Sequence, residues 1–337
     1  MENIFLVWTK YQARVETLSE EFKRKLGDTL IVYRPNPAAH KVKKIFYYLK
    51  YFINDLQLLV EKKPKRIFVQ TPPSHSLLAP IIYKKIINKE ALIICDLHNA
   101  MTREPWLKRL GTQRLLSDCD LIICHNEVVY SNILNNKLFK IFNYNNLVIL
   151  EDKTPKLKKN FHQDNHKKQT NEPVVFFPAS FNNDEPINEV IKAAELLPNY
   201  KIIMTGNSSK LKRNFNIEIE NLPSNVLITG WITTEEYKRT LNECDILLGL
   251  TIFNDIQMSV SNEGLGAEKV MVLSETETLR LIYKDGAQYC ENNASSIAEN
   301  IQIAYKNSDE LKRKVSSVKI IKEDRFENQI RILLEKI

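Results

Sequence analysis

Two carboxylates eight positions apart, Asp255 and Glu263, follow an apolar run that ends at Thr251 and lead into Glu263-Gly264-Leu265-Gly266-Ala267. A carboxylate can accept two hydrogen bonds from a ribose diol, and a second can accept from sugar hydroxyls. Backbone N–H groups at a helix start receive phosphate oxygens. One segment of this kind can grip a nucleotide sugar. The plainer alternative leaves Asp255 in a surface loop and makes Glu263 a cap on the following helix. A second group, Asp96, His98 and Asn99, follows another apolar run. A histidine at a strand end hydrogen-bonds a sugar hydroxyl or takes a proton from an acceptor, unless it serves packing or the loop alone. Arg103 and Trp106 lie just beyond and suit phosphate binding and sugar stacking, although a core tryptophan accounts for Trp106 equally well. His125 and Asn126 close a further run, with Asn126 also reading as a helix cap.

Lys210, Lys212 and Arg213, after Met204 to Ser208 with its Gly206, offer cations for a diphosphate or are simply solvated; an arginine from the first domain is the other source. Leu227 to Ile232 reads as a strand turning at Gly230, with Trp231 beyond it. The opening Leu6 to Leu18 reads as a strand, a loop with Thr9 and Tyr11 that faces phosphate or sugar, and an amphipathic helix. No Gly-x-Gly-x-x-Gly follows any strand, which removes the main support for a dinucleotide-dependent dehydrogenase. No Gly-x-Ser-x-Gly or Cys–His pairing supports a hydrolase. His162 and His166 lack any ligand framework around them, so no metal site is expected.

The elements that must position these groups alternate along the chain. Runs such as Ile4 to Trp8, Thr29 to Tyr33, Arg66 to Gln70, Ala91 to Cys95 and Asp120 to Cys124 suit parallel strands covered on both faces. Segments 11–26, 41–63, 76–89, 104–118 and 127–140 are long enough for crossover helices, and Asn146 to Leu150 closes the sheet. Residues 153–173 are polar with proline at both ends and read as a linker. The alternation restarts at Val174, with a short helix near 263–268 among its elements. The expected class is α/β, two doubly wound Rossmann-like domains facing a central cleft: domain 1–152, linker 153–173, domain 174–320, and a helix 321–337 returning to the first domain. Ligands of open α/β sheets bind beyond the strand C-termini, so the site is expected between the domains.

The 337 residues are 43% hydrophobic and 26% charged, which excludes a disordered or low-complexity chain. Five cysteines, an odd number of which four follow or lie within apolar segments, read as buried free thiols of a reducing compartment. No stretch reaches the ~18 apolar residues of a spanning helix and no basic leader opens the chain, so a cytoplasmic protein is expected. The net charge is +7, and the basic residues crowd into Lys41 to Arg66 and Lys153 to Lys168 without a reading motif around them, so no nucleic acid is expected. Lys41 to Leu59 joins a basic start to five aromatic residues and reads either as peripheral contact with the inner face of a membrane or as a crossover helix with a solvated basic end.

The run Asp255 through Ser274, with Glu263-Gly264-Leu265-Gly266-Ala267-Glu268-Lys269 before a hydrophobic strand, resembles the donor-site signature of GT-B nucleotide-sugar glycosyltransferases of the family 4 type. Thr276 to Arg280 and Asp285-Gly286-Ala287-Gln288-Tyr289 extend the likeness. The resemblance implies Glu263 on the ribose hydroxyls, Asp255 on the donor sugar, and backbone around Ser261, Asn262 and Gly264 near the diphosphate. It places Gly230 and Trp231 beside the base. Taken with the residue-level candidates above, the expected catalytic pair is His98 and Asp255, with Gly206 and Lys210 on the donor, Lys210 standing in for the missing basic pair, and Thr9, Tyr11, Asn99 and Arg103 on the acceptor or cleft side. Metal-independent, retaining transfer to a saccharide or lipid-linked saccharide in cell-surface polysaccharide or glycoconjugate synthesis follows, with no cofactor beyond the nucleotide-sugar co-substrate. The chain departs from the signature in three places. Asp255 replaces glutamate, Glu268 replaces a turn glycine, and the phosphate-binding Arg and Lys are missing from Pro178 to Glu185. A silent GT-B subunit and a nucleotide-sugar 2-epimerase are the alternatives.

Overall fold

Apolar runs flanked by helix-period segments settle as parallel strands once helices cover both faces, and the computed structural model contains two such sheets. It describes residues 1–35, 41–135, 144–157 and 172–337; His162 and His166 lie outside these. Two units divide the chain, one of Met1–Lys153 with Phe326–Ile337, the other of Thr154–Arg325.

The first unit runs β1 (Asn3–Val7), α1 (Ala13–Leu26), β2 (Thr29–Tyr33), α2 (Lys41–Lys62), β3 (Arg66–Thr71), α3 (Leu78–Ile86), β4 (Leu92–Leu97), α4 (Thr112–Ser117), β5 (Leu121–Cys124), α5 (Glu127–Asn135) and β6 (Leu147–Ile149). Its strands lie in the order β2-β1-β3-β4-β5-β6, all parallel, so the winding reverses between β1 and β3. Strand side chains alternate between two cores. Ile4, Leu6, Ile67, Val69 and Ile93 fill one, with Leu59 of α2 and Tyr83 of α3. Phe5, Phe68, Ile94 and Ile123 fill the other, with Phe22 of α1 and Phe326, Ile330 and Leu333 from the end of the chain. Phe68 stacks on both Phe5 and Phe22, with ring centroids 4.4 and 4.6 Å apart. The helix expected over 104–118 is only Thr112–Ser117. Pro105 and Gly111 interrupt it, the glycine at φ +79°, and turns replace its first half.

The second unit runs β7 (Val174–Phe177), α6 (Ile187–Glu195), β8 (Lys201–Met204), α7 (Ser208–Phe215), β9 (Val226–Ile228), α8 (Thr234–Glu243), β10 (Ile246–Gly249), α9 (Ser259–Gly266), β11 (Val270–Ser274), α10 (Glu277–Tyr283), β12 (Gln288–Cys290), α11 (Ala294–Lys306) and α12 (Ser308–Leu334), whose last residues from Phe326 belong to the first unit. The parallel order β12-β11-β10-β7-β8-β9 reverses between β7 and β10, where ligands of open sheets sit. Helix α11 shows why these segments fold as they do. Asn293 caps its start by accepting from Ser296 N–H, and Ile297, Ala298, Ile301 and Ala304 form the buried stripe. All five cysteines are buried thiols outside any disulfide. Among the described residues no helix is long and apolar enough to cross a membrane.

Candidate functional site

Polar side chains of the first unit converge at its strand C-termini. Arg14, the second residue of α1, sends Nε to both oxygens of Asp96 at 3.2 Å and Nη2 to Oδ1 at 3.1 Å. It also reaches the Leu150 carbonyl at 2.7 Å and Asp152 at 2.6 Å, so one guanidinium joins α1, β4 and the end of β6. His125, directly after β5, places Nε2 3.1 Å from Asp96 Oδ1, and its ring stands edge-on to His98 with centroids 5.1 Å apart. Burial favours the neutral acid at Asp96, but the Arg14 guanidinium and His125 outweigh it and hold the carboxyl well below the usual range. For His98, burial and then the neighbouring His125 lower the imidazole to about 4. His98 Nδ1 accepts Ala100 N–H at 3.4 Å, so the neutral ring carries its proton on Nε2. At neutral pH the sequence-predicted proton acceptor is therefore set up to donate a hydrogen bond through Nε2.

Asn99, buried, and Arg103 follow His98 at either end of a short 3-10 turn. Thr9 and the 64% exposed Tyr11 lie in the loop after β1. Buried Asp55 of α2 fixes the root of that loop by accepting from Trp8 Nε1 at 2.8 Å and Arg34 Nε at 2.9 Å. Trp106 packs against the core and carries Arg109 over its face at 4.0 Å, which is the packing reading.

In the second unit Glu263 is half-buried and accepts a hydrogen bond from Tyr237 of α8 at Oε2. Among the described residues no donor engages its Oε1. Burial pushes the Glu263 carboxyl up, the Tyr237 bond offsetting part of the shift; burial and then the Glu263 charge push the phenol up. Asp255 is buried in the loop between β10 and α9, where the preceding Asn254 carbonyl accepts Thr278 N–H at 3.2 Å.

Residues 158–319 match the family model described as glycosyl transferases group 1. No curated protein matches the sequence. Over the whole chain the fold is that of GT-B glycosyltransferases. It is similar to Anabaena HepE in complex with UDP-glucose (14% identity, all of both chains, TM-score 0.74). It is likewise similar to sucrose-phosphate synthase from Thermosynechococcus elongatus (11%, all of both chains, 0.74). UDP-GlcNAc 2-epimerase from Neisseria meningitidis bound to UDP-GlcNAc is similar over 99% of this chain and all of that one (12%, 0.67).

Within the matched segment the structure moves one expectation. Glu263 does not open a helix near 263–268: α9 spans Ser259–Gly266, and Glu263 is its fifth residue. Met258 is the extended residue before the helix and supplies no side-chain cap, so Ser259, Val260 and Ser261 present the opening N–H groups. Asn262 N–H returns to the Met258 carbonyl at 3.2 Å, and Gly264 lies inside the helix. The side chains in this stretch serve packing. Ser261 is fully buried, and a Cβ on Gly249 would sit 2.6 Å from its hydroxyl; a Cβ on Gly264 would lie 2.5 Å from Leu247 Cδ2 and 2.7 Å from Met271 Sδ. Helix α9 ends in a Schellman turn, Glu268 N–H to Leu265 and Lys269 N–H to Gly264, with Glu268 at φ +53° where glycine is usual. Lys319 at 3.0 Å and Ser316 at 3.1 Å hold the Glu268 carboxylate.

Gly206, at φ +123°, sits where a Cβ would lie 2.7 Å from the Phe181 ring, and donates its N–H to the Gly230 carbonyl at 3.1 Å. Trp231 is 70% exposed. Lys210 is turned toward the loop after β7, with Nζ 2.9 Å from Asn182 Oδ1 and 3.4 Å from the Ser180 carbonyl. In that loop, where the signature's basic pair is missing, Glu185 accepts Ser180 N–H at 2.9 Å and Asn182 N–H at 3.0 Å. A carboxylate of the chain itself occupies this small cradle of N–H groups.

Three participants were not singled out from the sequence. Arg14 shares the stripe 14, 18, 22 with Leu18 and Phe22, and a cation on an apolar stripe was the available signal. Tyr237 stands four residues before buried Leu241 on α8, a comparable signal. Asp152 falls where chain order gives no sign of a partner, because Arg14 is 138 residues away.

Proposed function

We propose that this chain is a glycosyltransferase that moves a sugar from a nucleotide-diphosphate donor to a hydroxyl of a saccharide or lipid-linked saccharide, without a metal and with retention, in the synthesis of cell-surface polysaccharide or glycoconjugate. The observation that carries the reading is Glu263: a carboxylate inside the matched family segment, with one oxygen fixed by Tyr237 and the other turned to no protein donor among the described residues. A ribose diol supplies the two donors such a carboxylate lacks. Asp255 meets the donor sugar, Trp231 and Gly230 the base, and Ser259 to Ser261 N–H the diphosphate. Lys210 and Gly206 act from the second unit's neighbouring turn. His98 donates from Nε2 to a sugar oxygen, and Thr9, Tyr11, Asn99 and Arg103 receive the acceptor. The protein's contribution is orientation and stabilisation of the departing diphosphate.

The exposed start of α2 supports peripheral membrane contact. Ile45, Phe46, Leu49 and Ile53 are 66%, 69%, 53% and 44% exposed, among Lys43, Lys44 and Lys50, while Phe52, Leu56 and Leu59 later in the helix pack on the core. Anionic headgroups complement such a surface, and a lipid-linked acceptor would be presented there.

A silent subunit is the second reading, and Glu185 favours it, since the cradle after β7 already holds a carboxylate. Melting curves with UDP-, GDP-, dTDP- and ADP-sugars test both readings. One donor at a hundredfold its Kd is expected to stabilise the protein by about 2.7 kcal/mol. Glu263→Gln is expected to abolish that shift while the unliganded protein melts unchanged or slightly higher at pH 7, because burial raises the Glu263 carboxyl in the folded state and its ionised form costs stability above the ordinary glutamate range. No shift with any donor overturns the transferase reading. A shift without sugar transfer over a broad acceptor panel selects the silent subunit.

A further inference from the structure

A histidine that must offer its hydrogen from a chosen nitrogen needs its ring held as well as its charge. His98 lies on a short turn after β4, only partly covered, and its own backbone fixes just one side of it, through Ala100 N–H. The other side is built from three buried polar residues on separate elements, where chance burial of charge is costly and unpaired groups more so. Arg14 is 8% exposed, Asp96 4% and His125 7%.

We propose that Arg14, Asp96 and His125 form a positioning chain for His98, in which Arg14 fixes Asp96, Asp96 fixes the His125 ring, and that ring sets the face of His98. The proposal rests on the reading above that His98 meets a sugar. Asp96 takes the fork of Arg14 on both oxygens and still offers Oδ1 to His125. A carboxylate only accepts, so His125 Nε2 must carry the hydrogen, and this fixes which way the ring is turned. The fixed ring then meets His98 at an interplanar angle of 74°, with an edge presented to a face. Four charged or titratable groups act on His98: Asp96 and Asp152 favour its protonation, Arg14 and His125 oppose it. Arg14 is tied to both acids, so the group that orients the chain also balances the field at its end. His125, Asp96 and Arg14 are in this view positioning residues.

Ring ¹⁵N spectra of His98 against pH, in the unliganded full chain, provide the test. Wild type is expected to show a single Nε2–H tautomer and a midpoint near 4. His125→Phe keeps a ring but loses the bond to Asp96, and is expected to give mixed tautomers and a midpoint moved up by one unit or more. His125→Gln keeps a donor for Asp96 without the ring and serves if the phenylalanine variant does not fold; it is expected to raise the midpoint as well. In a double-mutant cycle on UDP release from UDP-glucose, His125→Phe is expected to lower kcat about tenfold or more with KM within twofold, and to have no further effect in a His98→Gln background. Unchanged His98 tautomer and midpoint in both His125 variants overturn the proposal. So does a His125→Phe loss that simply adds to that of His98→Gln. Failure of every donor in the melting assay would sink the transferase reading while leaving the spectra free to decide the chain.

Discussion

The strand ends of the two units manage charge in opposite ways. The first gathers a guanidinium, two carboxylates and an imidazole from α1, β4, β5 and the end of β6, and nearly every partner comes from a distant part of the sequence. In the second, the carboxylates Glu263 and Glu185 are held by uncharged donors. Glu263 faces a neutral phenol, Glu185 is held by backbone N–H groups, and glycines let helix and sheet approach closely. A buried ionic network specifies geometry but fails badly when one member is lost, whereas a carboxylate beside a neutral donor can change its protonation state and wait for a ligand.

The hardest test of that contrast is Arg14→Met. It takes the guanidinium away from Asp96 and Asp152 and should cost about 3–5 kcal/mol in urea unfolding, with Arg14→Lys recovering only part because an ammonium cannot span both acids and the Leu150 carbonyl. A loss under 1 kcal/mol would erase the distinction between the units. In the second unit the sensitive element is steric. Gly206→Ala drives a Cβ to 2.7 Å from Phe181 and 2.8 Å from the Ala179 carbonyl at an unfavourable φ. About 3 kcal/mol is expected from strain and overpacking, read by the same titration. The smallest effect concerns Glu268. Glu268→Gly relieves the left-handed backbone while losing Lys319 and Ser316, so its stability should stay within about 1 kcal/mol of wild type. Glu268→Ala loses both advantages and should fall below the glycine variant by about 1 kcal/mol. Equal melting temperatures for the two variants would show that the turn is not strained.

The same contrast explains what could be read in advance. The alternating apolar runs reveal two parallel sheets because burial on both faces leaves a local imprint. The second unit's candidate site was visible because Asp255 to Ser274 is one continuous stretch. Its helix start was misplaced because Met258 carries no capping side chain to announce it. The first unit's network was largely hidden: His98 and His125 stood out by residue type, but Arg14 at a helix start looks like any solvated cation until its stripe with Leu18 and Phe22 is noticed. The stretch 104–118 is long enough for a helix, and Pro105 and Gly111 are what confine the helix to its second half.

The placement of Phe326, Ile330 and Leu333 among the buried residues of the first unit also fixes an order of events during synthesis. The sheet made first on the ribosome lacks part of its apolar cover until more than 170 further residues have been translated. Until then one face of a six-stranded parallel sheet remains short of side chains to bury against, an interval in which a nascent chain is open to misassembly and chaperone capture. Phe326, Ile330 and Leu333 complete the core that Phe5 and Phe22 begin.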